Sequence, residues 1–386
     1  MFRKIFFKEM KDSFRDRRTL LLTVFLPVIM MSALVFFYES MMSDGDENEV
    51  YSLAVEETAN EELLALFEPI ENIDLVRTED PYETVREGNA LAAVVFEENF
   101  LEQIESNQPT AVTVLGDSFS QNSSILMNLV TTTLSTFEKS IVSERLLAEG
   151  VDESLVIPFS ISQEELSEDN QGMNLLALLI PLMIVLAIGI GAGPSASDLF
   201  AGEKEKKTME ALLMTPVSRT TMIWAKWLTI SCLGAITGLV TLVVVSIEIQ
   251  FFTENLKTAV VQTDNIGMIL LLTAAISLVF AMLTASILTL TSVVAKTVKE
   301  SQSYSTPVMM VAVFPAMMLA NIGATELEFH HFAIPILNVF GLLKELIAGI
   351  INVEHILIFL GSNVLFIVII FVIARMMFLK DKWVMN

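Results

Sequence analysis

Hydrophobic residues along this chain gather into runs of about twenty or more, separated by shorter polar segments. Runs of that length match the hydrocarbon core of a bilayer, which an α-helix crosses in roughly 20 residues. The pattern therefore predicts an α-helical polytopic membrane protein with six transmembrane helices. These spans are expected at residues 19–42, 173–198, 222–249, 266–295, 303–322 and 356–379.

The Lys and Arg residues predict how these spans are oriented. Of the 23 basic residues, 17 lie in the N-terminal segment, the loop after the second span, the loop after the fourth span and the C-terminal end. Cationic residues near span ends resist translocation, whereas acidic residues contribute little. We therefore expect residues 1–18, the loop after the second span and the tail at residues 380–386 to be cytoplasmic, in a cell membrane.

Between the first two spans, residues 43–172 alternate apolar and polar positions in the manner of a soluble α/β domain. The spacing predicts strands at 51–55, 73–76, 91–96, 111–115 and 155–161, and helices at 60–67, 82–87, 97–105 and 120–149. This inserted segment carries 29 of the 46 acidic residues but four basic ones. It is expected to be an extracytoplasmic acidic domain, in which the acidity either maintains solubility or gathers cations.

Several classes of chemistry are disfavoured by the composition. A net charge of −23 argues against a nucleic-acid partner, because phosphate binding requires clustered cations. The single cysteine, Cys232, allows no intrachain disulfide. The histidines, His330, His331 and His355, lie outside the acidic domain and are interpreted as ordinary interfacial residues, so no metal site is predicted.

Residues 1–18 are predicted to form an interfacial amphipathic helix. At about 100° per residue, apolar side chains recur every fourth position and cations gather on the opposite side. Such a helix places its apolar face among lipid acyl chains and its cations toward anionic headgroups. The alternative is that these are only the basic residues that precede a first span. The residues concerned are Phe2, Lys4, Phe6, Lys8, Met10, Lys11, Phe14 and Arg15.

The loop after the second span, at residues 201–219, is called the coupling loop below. Its apolar residues Met209, Leu212 and Leu213 fall at helical spacing after a charged cluster, which predicts a short amphipathic helix within residues 201–215. Pro216 suits the first position of the next helix, with Thr215 as its cap. The pattern favours a docking element at the membrane surface. Its alternative is a basic cluster that merely fixes topology.

Polar residues within and between the later spans suggest a transport pathway. The hydroxyls considered are Thr237, Ser246, Ser277 and Thr284, although hydroxyls in spans commonly bond to their own helix. Glu248 lies near the predicted outer end of the third span, where a charge is least costly. Residues 332–352 contain apolar stretches too short to cross, so a re-entrant pair of short helices is expected before the last span, with Lys344 and Glu345 near its turn.

A run of alternating glycines, Gly189, Gly191 and Gly193, ends the second span. A GxGxG run is associated with nucleotide binding when it follows a β-strand. Here it follows a membrane span, and close helix packing explains it better.

The sequence GEKEKKTMEALLMTPVSR in the coupling loop, together with GNALAAVVFEENFLEQIESNQPTAVTVLGD in the acidic domain, resembles the membrane subunits of type-2 ABC exporters. Among these, the chain is most similar to the NatB-like sodium-extrusion permeases. The resemblance covers essentially the whole chain and implies the six-span architecture given above. Family members commonly have Gly immediately before the loop threonine, where this chain has Lys207.

The resemblance implies a permease subunit of an ATP-driven exporter, with Na⁺ as its substrate. No G-x-x-x-x-G-K-[ST] phosphate loop occurs in the chain, so the subunit is not expected to be an enzyme, and a separate cytosolic ATPase would bind ATP and Mg²⁺. Two ATPase copies and a second permease copy, identical or paralogous, are implied. ATPase coupling is then assigned to Glu203, Lys204, Glu205, Lys206, Lys207, Thr208, Met209, Glu210, Leu212, Leu213, Pro216 and Arg219.

Two alternatives remain open at this point. The same fold in related permeases exports lipids, drugs or peptides. From a different class, a membrane-anchored sensor would use the acidic domain to bind a ligand, although no output domain follows the last span.

Overall fold

The computed structural model describes residues 1–46, 50–70, 72–151, 171–257 and 266–380. The strand predicted at 155–161 lies outside these residues, as does the tail beyond residue 380. The chain divides into two compact units, one of Met1–Met42 with Ser167–Asn386 and the other of Ser43–Leu166. We call them the helical unit and the α/β unit.

The helical unit begins with two helices. Helix α1, Phe2–Arg15, covers most of the predicted amphipathic segment, and helix α2, Arg17–Asp46, contains the first predicted span. Between them, the Asp16 amide still donates to the Asp12 carbonyl at 3.4 Å, so the break is confined to one residue.

The described part of the α/β unit contains a four-stranded sheet in the order β2–β1–β3–β4. Strand β1 pairs in parallel with β2 and β3, whereas β4 is antiparallel to β3. The two central strands have buried residues on both faces. The strands are β1 Tyr51–Glu56, β2 Ile73–Thr78, β3 Ala92–Phe96 and β4 Val112–Gly116.

Helices in the α/β unit pack on this sheet around a core that includes Leu53, Val94, Phe67 and Leu126. Three of these four helices begin at a side-chain cap; the Asp80 carboxylate, for example, accepts from the Glu83 amide at 3.1 Å. These helices agree in position with the alternation read from the sequence. They are α3 Glu61–Leu64, α4 Pro81–Arg86, α5 Phe100–Glu105 and α6 Gln121–Ala148.

The rest of the helical unit follows after residue 170. Its centre is the pair α7 and α10, which pack closely along their length. The elements are α7 Gln171–Ser197, a π-helical turn Asp198–Gly202, α8 Glu203–Glu205, α9 Thr208–Leu213, α10 Arg219–Phe252, α11 Ile266–Val294, α12 Val298–Val311, α13 Phe314–Leu319, a 3₁₀ turn Ala324–Glu326, α14 Phe329–Ala333, α15 Leu337–Ile347 and α16 Val353–Phe378.

Five helices among the described residues are long and apolar enough to cross a membrane. This agrees with a polytopic membrane protein but does not confirm the count of six. The stretches concerned are Leu21–Ser40, Leu175–Glu205, Arg219–Phe252, Ile266–Val294 and Val353–Phe378.

The fifth predicted span, at residues 303–322, is not one continuous helix. It is divided into α12 and α13, with a break at Ala312 and Val313. Pro315, at the start of α13, lacks an amide hydrogen and cannot donate to the carbonyl of Val311, which favours a break at this point.

The predicted re-entrant pair at residues 332–352 also differs from the structure. Two short helices are present, α14 and α15, but the break between them lies at residues 334–336, and Lys344 and Glu345 lie inside α15 rather than at a turn. Pro335 explains the position, because the residue before a proline is disfavoured in the α region. Ile336 has a φ of 75°, an uncommon value for a β-branched residue.

The alternating glycines allow α7 and α10 to approach closely. A Cβ atom at Gly191 would lie 2.5 Å from the Cβ of Thr237 on α10, whereas one at Gly193 would meet nothing within 4 Å. Gly191 is therefore required by the packing of the two helices, and Gly193 is not.

We predict that Gly191→Ala lowers the stability of the helical unit by about 1–3 kcal/mol, because the added methyl overpacks the α7–α10 contact. The measurement is the thermal unfolding midpoint of the detergent-solubilised full chain. Gly193→Ala is the matched control and should leave the midpoint nearly unchanged. Equal effects of the two substitutions would contradict the packing role of Gly191.

Candidate functional site

The coupling loop is joined to the end of α7 by a π-helical turn. After Ser197 the chain continues through the π-helical turn Asp198–Gly202, whose last four residues are buried, into the single turn of α8. Helix α9 follows after Lys206 and Lys207. The predicted single amphipathic helix is therefore two short helices.

The break between these helices is at Lys207, which has φ 56° and ψ 20°, a left-handed conformation. The Lys206 and Lys207 amides close the preceding turn by donating to the carbonyls of Gly202 and Lys204, each at 3.0 Å. A left-handed residue with a side chain costs roughly 1–2 kcal/mol, and glycine avoids that cost. This backbone conformation explains why glycine suits the position where this chain has Lys207.

The start of α10 also differs from the prediction. Ser218 is its cap, with the Ser218 hydroxyl oxygen accepting from the Thr221 amide at 3.2 Å, and the helix begins at Arg219. Pro216 lies before the helix rather than at its first position. The Thr215 hydroxyl donates to a backbone carbonyl of α9 at 2.6 Å and caps nothing in α10.

A buried ammonium group lies beneath the coupling loop. Lys226 of α10 is fully buried, and its Nζ donates to the carbonyl of Leu199 at 2.8 Å. The same Nζ is 2.7 Å from Oε1 of Glu203 and 3.6 Å from Oε1 of Glu9, and it lies over the ring of Phe200 at 5.7 Å from the centroid. One lysine therefore joins α1, the π-helical turn, α8 and α10.

Sequence reasoning did not select Glu9 or Lys226. The signal for Glu9 was present: at about 100° per residue it lies between Ile5 and Phe2, on the apolar side of α1, where a carboxylate needs a buried partner. Glu9 is 3% exposed and also contacts Lys8 at 3.1 Å. Desolvation acts to lower the pKa of Lys8, but attraction to Glu9 outweighs it, so the pKa of Lys8 is raised.

Two further charged residues fasten the coupling loop to the turn between α11 and α12. The Lys204 Nζ donates to the carbonyls of Val293 and Ala295 at 2.5 and 3.0 Å, at the C-terminal end of α11. The Glu205 carboxylate accepts from the Val298 amide at 2.9 Å, at the N-terminal end of α12. A cation at a helix C-terminus and an anion at an N-terminus both interact favourably with the helix dipole.

The remaining part of the coupling loop, residues 206–216, is called the loop tip. Met209 points inward and is 1% exposed, whereas Met214 is 88% exposed. Leu212 is partly buried, and Arg219, just beyond the tip, donates to the Leu379 carbonyl at 3.0 Å. Nothing is described for the side chain of Leu213. The exposed predicted contact residues of the tip are Lys206, Lys207, Thr208, Glu210 and Pro216.

The residues predicted to line a pathway do not come together as one polar track in the described part of the chain. Three hydroxyls donate to carbonyls four residues earlier in their own helices: Thr237 at 3.0 Å, Ser246 at 2.7 Å and Ser277 at 2.7 Å. Thr284 is buried. The first three hydroxyls therefore follow the alternative weighed above, in which a hydroxyl bonds to a carbonyl of its own helix.

The charged pathway candidates lie in separate places. Glu248 accepts from the Ser32 hydroxyl at 2.5 Å, and the Lys344 Nζ donates to the Leu319 carbonyl at 2.8 Å. Glu345 contacts Nδ1 of His355 at 2.9 Å. Among the described residues, no group of three or more His, Cys, Asp or Glu side chains is arranged to hold a metal ion.

Helix α1 presents both kinds of side chain that an interfacial helix needs. Its partly buried residues include Phe6 and Met10, and α1 packs against α10. Lipid contact itself stays a prediction. The exposed members of the predicted set are Phe2, Lys4, Lys8, Lys11, Phe14 and Arg15.

Comparison with known proteins covers the entire chain. A family model described as "ABC-2 family transporter protein" matches residues 3–383. The chain is also 38% identical over 386 residues to the "ABC transporter permease protein NatB" of Bacillus subtilis (strain 168), and the match covers 100% of both chains.

We predict that Lys207→Gly increases the protection of the α9 amides from hydrogen exchange, because glycine removes a left-handed penalty of roughly 1–2 kcal/mol. Lys207→Val should reduce protection, since a β-branched residue tolerates this conformation least. The control is Lys206, which is right-handed with φ −78°, and where glycine should reduce protection instead. If glycine changed the protection of the α9 amides in the same direction at both positions, the left-handed conformation would not be the cause of the effect at Lys207.

We predict that Lys226→Met destabilises the helical unit by about 3–5 kcal/mol, because it leaves Glu203 without its cation and leaves the buried Glu9 with Lys8 alone. Glu203→Gln should cost less, since Glu9 still faces Lys226. The measurement is thermal unfolding of the full chain in detergent, with exposed Lys380→Met as the control. An unchanged midpoint for Lys226→Met would show that the cluster contributes nothing to stability.

Proposed function

Since this chain belongs to the ABC-2 family of transporter proteins and is a permease subunit of an ABC transporter, we propose that it exports Na⁺, driven by a separate ATPase that docks on the loop tip. In this proposal residues 1–18 and 380–386 are cytoplasmic and residues 43–172 are outside. Two ATPase copies, which hold the ATP and Mg²⁺, act on two permease copies, identical or paralogous.

The observation that carries the docking proposal is the division of the coupling loop into a fastened base and an exposed tip. Glu203, Lys204 and Glu205 are bonded to α10, α11 and α12 and so fasten the base to the ends of these helices. The tip, by contrast, presents charged residues and the exposed side chain of Met214. An ATPase that moves the tip would therefore move the ends of several spans together.

The distribution of basic residues supports the orientation. Seventeen of 23 Lys and Arg residues lie in segments that the proposal places in the cytoplasm. The coupling loop lies between two of the five spanning helices, where a cytosolic ATPase has access to it in this orientation.

The choice of Na⁺ is supported by the resemblance of the coupling loop and the acidic segment to sodium-extrusion permeases. The full-length similarity to the NatB permease agrees with it. In the proposed orientation, the acidic segment would concentrate cations on the outer side of the membrane.

A second candidate is export of an amphipathic substrate such as a lipid or drug, which one cavity favours. A space of about 480 Å³ lies between α7, α10 and α11 and falls within the usual range of ligand pockets, about 300–1,000 Å³. Its lining is almost entirely apolar. Thr241 and Ser246 are among the lining residues, and each hydroxyl donates to a carbonyl of its own helix. The sensor alternative has no such support.

We predict that the full chain, purified with its co-isolating ATPase and reconstituted in liposomes, accumulates ²²Na⁺ when ATP is supplied on the ATPase side. Lys206→Glu should weaken ATPase binding and ²²Na⁺ accumulation by about tenfold, equivalent to 1.4 kcal/mol, because it reverses a charge at the exposed tip. Lys380→Glu provides a charge-reversed control outside the tip.

The outcomes separate the two candidates. If hydrophobic compounds stimulate ATP hydrolysis and Na⁺ has no effect on it, the substrate is an amphipathic compound rather than Na⁺. Full ²²Na⁺ accumulation by the Lys206→Glu variant would contradict the proposal that the ATPase docks on the loop tip.

A further inference from the structure

A carboxylate and an imidazole meet at the joint between α15 and α16. Nδ1 of His355 lies 2.9 and 3.0 Å from the two carboxyl oxygens of Glu345. The Glu345 side chain is 5% exposed and that of His355 is 21% exposed. The carboxylate is thus buried, while the imidazole retains access to solvent.

The hydrogen bonds at this joint define which nitrogen of His355 carries its proton. The side-chain oxygen of Asn352 accepts from the Glu354 amide at 2.9 Å and caps α16. The amide nitrogen of Asn352 therefore faces Nε2 of His355, at 3.4 Å. An amide nitrogen can only donate, so Nε2 must accept, and the proton of the neutral ring is on Nδ1, from which it is donated to Glu345.

The ring is held in this orientation by aromatic stacking. Phe332 of α14 lies parallel to His355, with ring centroids 3.8 Å apart and an interplanar angle of 15°. A neutral, Nδ1-protonated His355 beside ionised Glu345 leaves one uncompensated negative charge at a largely buried place.

The other charged groups near the joint have partners of their own. The Lys344 ammonium is bonded to the Leu319 carbonyl and attracted by Glu326. Glu328 is 3.3 Å from Nδ1 of His330, and its amide donates to Nδ1 of His331 at 2.9 Å.

The helices packed against the joint contribute no further compensating charge. Helices α7, α11 and α13 contain no ionisable Asp, Glu, Lys, Arg or His. Helix α10 meets α16 near its far end, where Arg219 donates to the Leu379 carbonyl. Glu354, next in sequence to His355, is exposed.

We propose that Glu345 and His355 form a binding site for one exchangeable proton, which is taken up at Nε2 of His355. The incoming proton converts the pair from a buried anion to an imidazolium–carboxylate pair without net charge. Histidine is suited to this because its charge changes between about pH 5 and pH 8.

Proton uptake at Nε2 acts on the start of the last span. A protonated Nε2 is a donor and faces the Asn352 amide nitrogen, which is also a donor. The Asn352 side chain must then turn, and its oxygen leaves the Glu354 amide that it caps. The proton site is thereby linked to the joint between α15 and α16, whichever substrate is carried.

The chain's three histidines make a direct test possible. The full chain, labelled with ¹⁵N in the histidine rings and at Glu354 and placed in lipid nanodiscs, would be followed by NMR from about pH 8 to about pH 5. The expected His355 signal is the neutral ring protonated at Nδ1 at high pH and the imidazolium at low pH. The Glu354 amide signal should shift over the same pH interval.

Three variants distinguish a proton site from a structural contact. His355→Asn keeps a donor near Glu345 but cannot titrate, so the Glu354 amide should lose its pH response. His330→Asn, which removes a histidine outside the joint, should keep it. In Glu345→Gln the imidazolium has no counter-charge, so His355 should remain neutral over the whole interval.

The proposal fails if wild-type His355 is protonated at Nε2 when neutral, or if it stays neutral down to about pH 5. It also fails if the Glu354 amide responds equally in the His355→Asn variant. Each of these results is independent of transport activity and of the identity of the substrate.

Discussion

The contact on which the rest of the helical unit depends is the one between the Lys226 ammonium and its three oxygen partners. Removing an ammonium group from water costs several kcal/mol, and this cost is offset only where geometry supplies opposite charge and acceptors. Glu203, Glu9 and the Leu199 carbonyl do so from three different segments. The position of the coupling loop relative to α1 and α10 is therefore set by charge rather than by apolar contact alone.

Around this cluster, the polar groups of the coupling loop serve two purposes. Lys204 and Glu205 complete the hydrogen bonding at the ends of α11 and α12, which would otherwise be left with unsatisfied backbone groups. The left-handed Lys207 then turns the chain so that Met209 enters the core while Lys206 and Glu210 remain exposed. A loop built in this way is rigid at its base and accessible at its tip.

Much of the fold could be predicted because it depends on local pattern. Twenty-residue apolar runs specify membrane helices, and alternation identified the four strands of the described sheet. The interruption of the fifth predicted span was less visible, because Pro315 lies in an otherwise apolar run. The break before α15 had a signal in Pro335, but the charged residues at 344–345 suggested a turn at the wrong place.

The functional site was harder to predict for a physical reason. The spacing of Met209, Leu212 and Leu213 is compatible with one continuous helix, and nothing in that spacing reports the left-handed turn at Lys207. The partners of Lys226 come from residues 9, 199 and 203, and pairings over such separations leave no periodic trace in the sequence. Glu9 alone was detectable, as an acid on the apolar side of a basic helix.

The Glu9–Lys226 contact also has a consequence for the order of assembly. Helix α1 is made first, yet its buried Glu9 carboxylate meets the Lys226 ammonium only after more than 200 further residues have been synthesised. At about 5–20 residues per second, that interval lasts at least roughly ten seconds. During it, the partner of Glu9 within α1 is Lys8, at 3.1 Å. The contact between α1 and α10 can therefore form only after α10 has been synthesised.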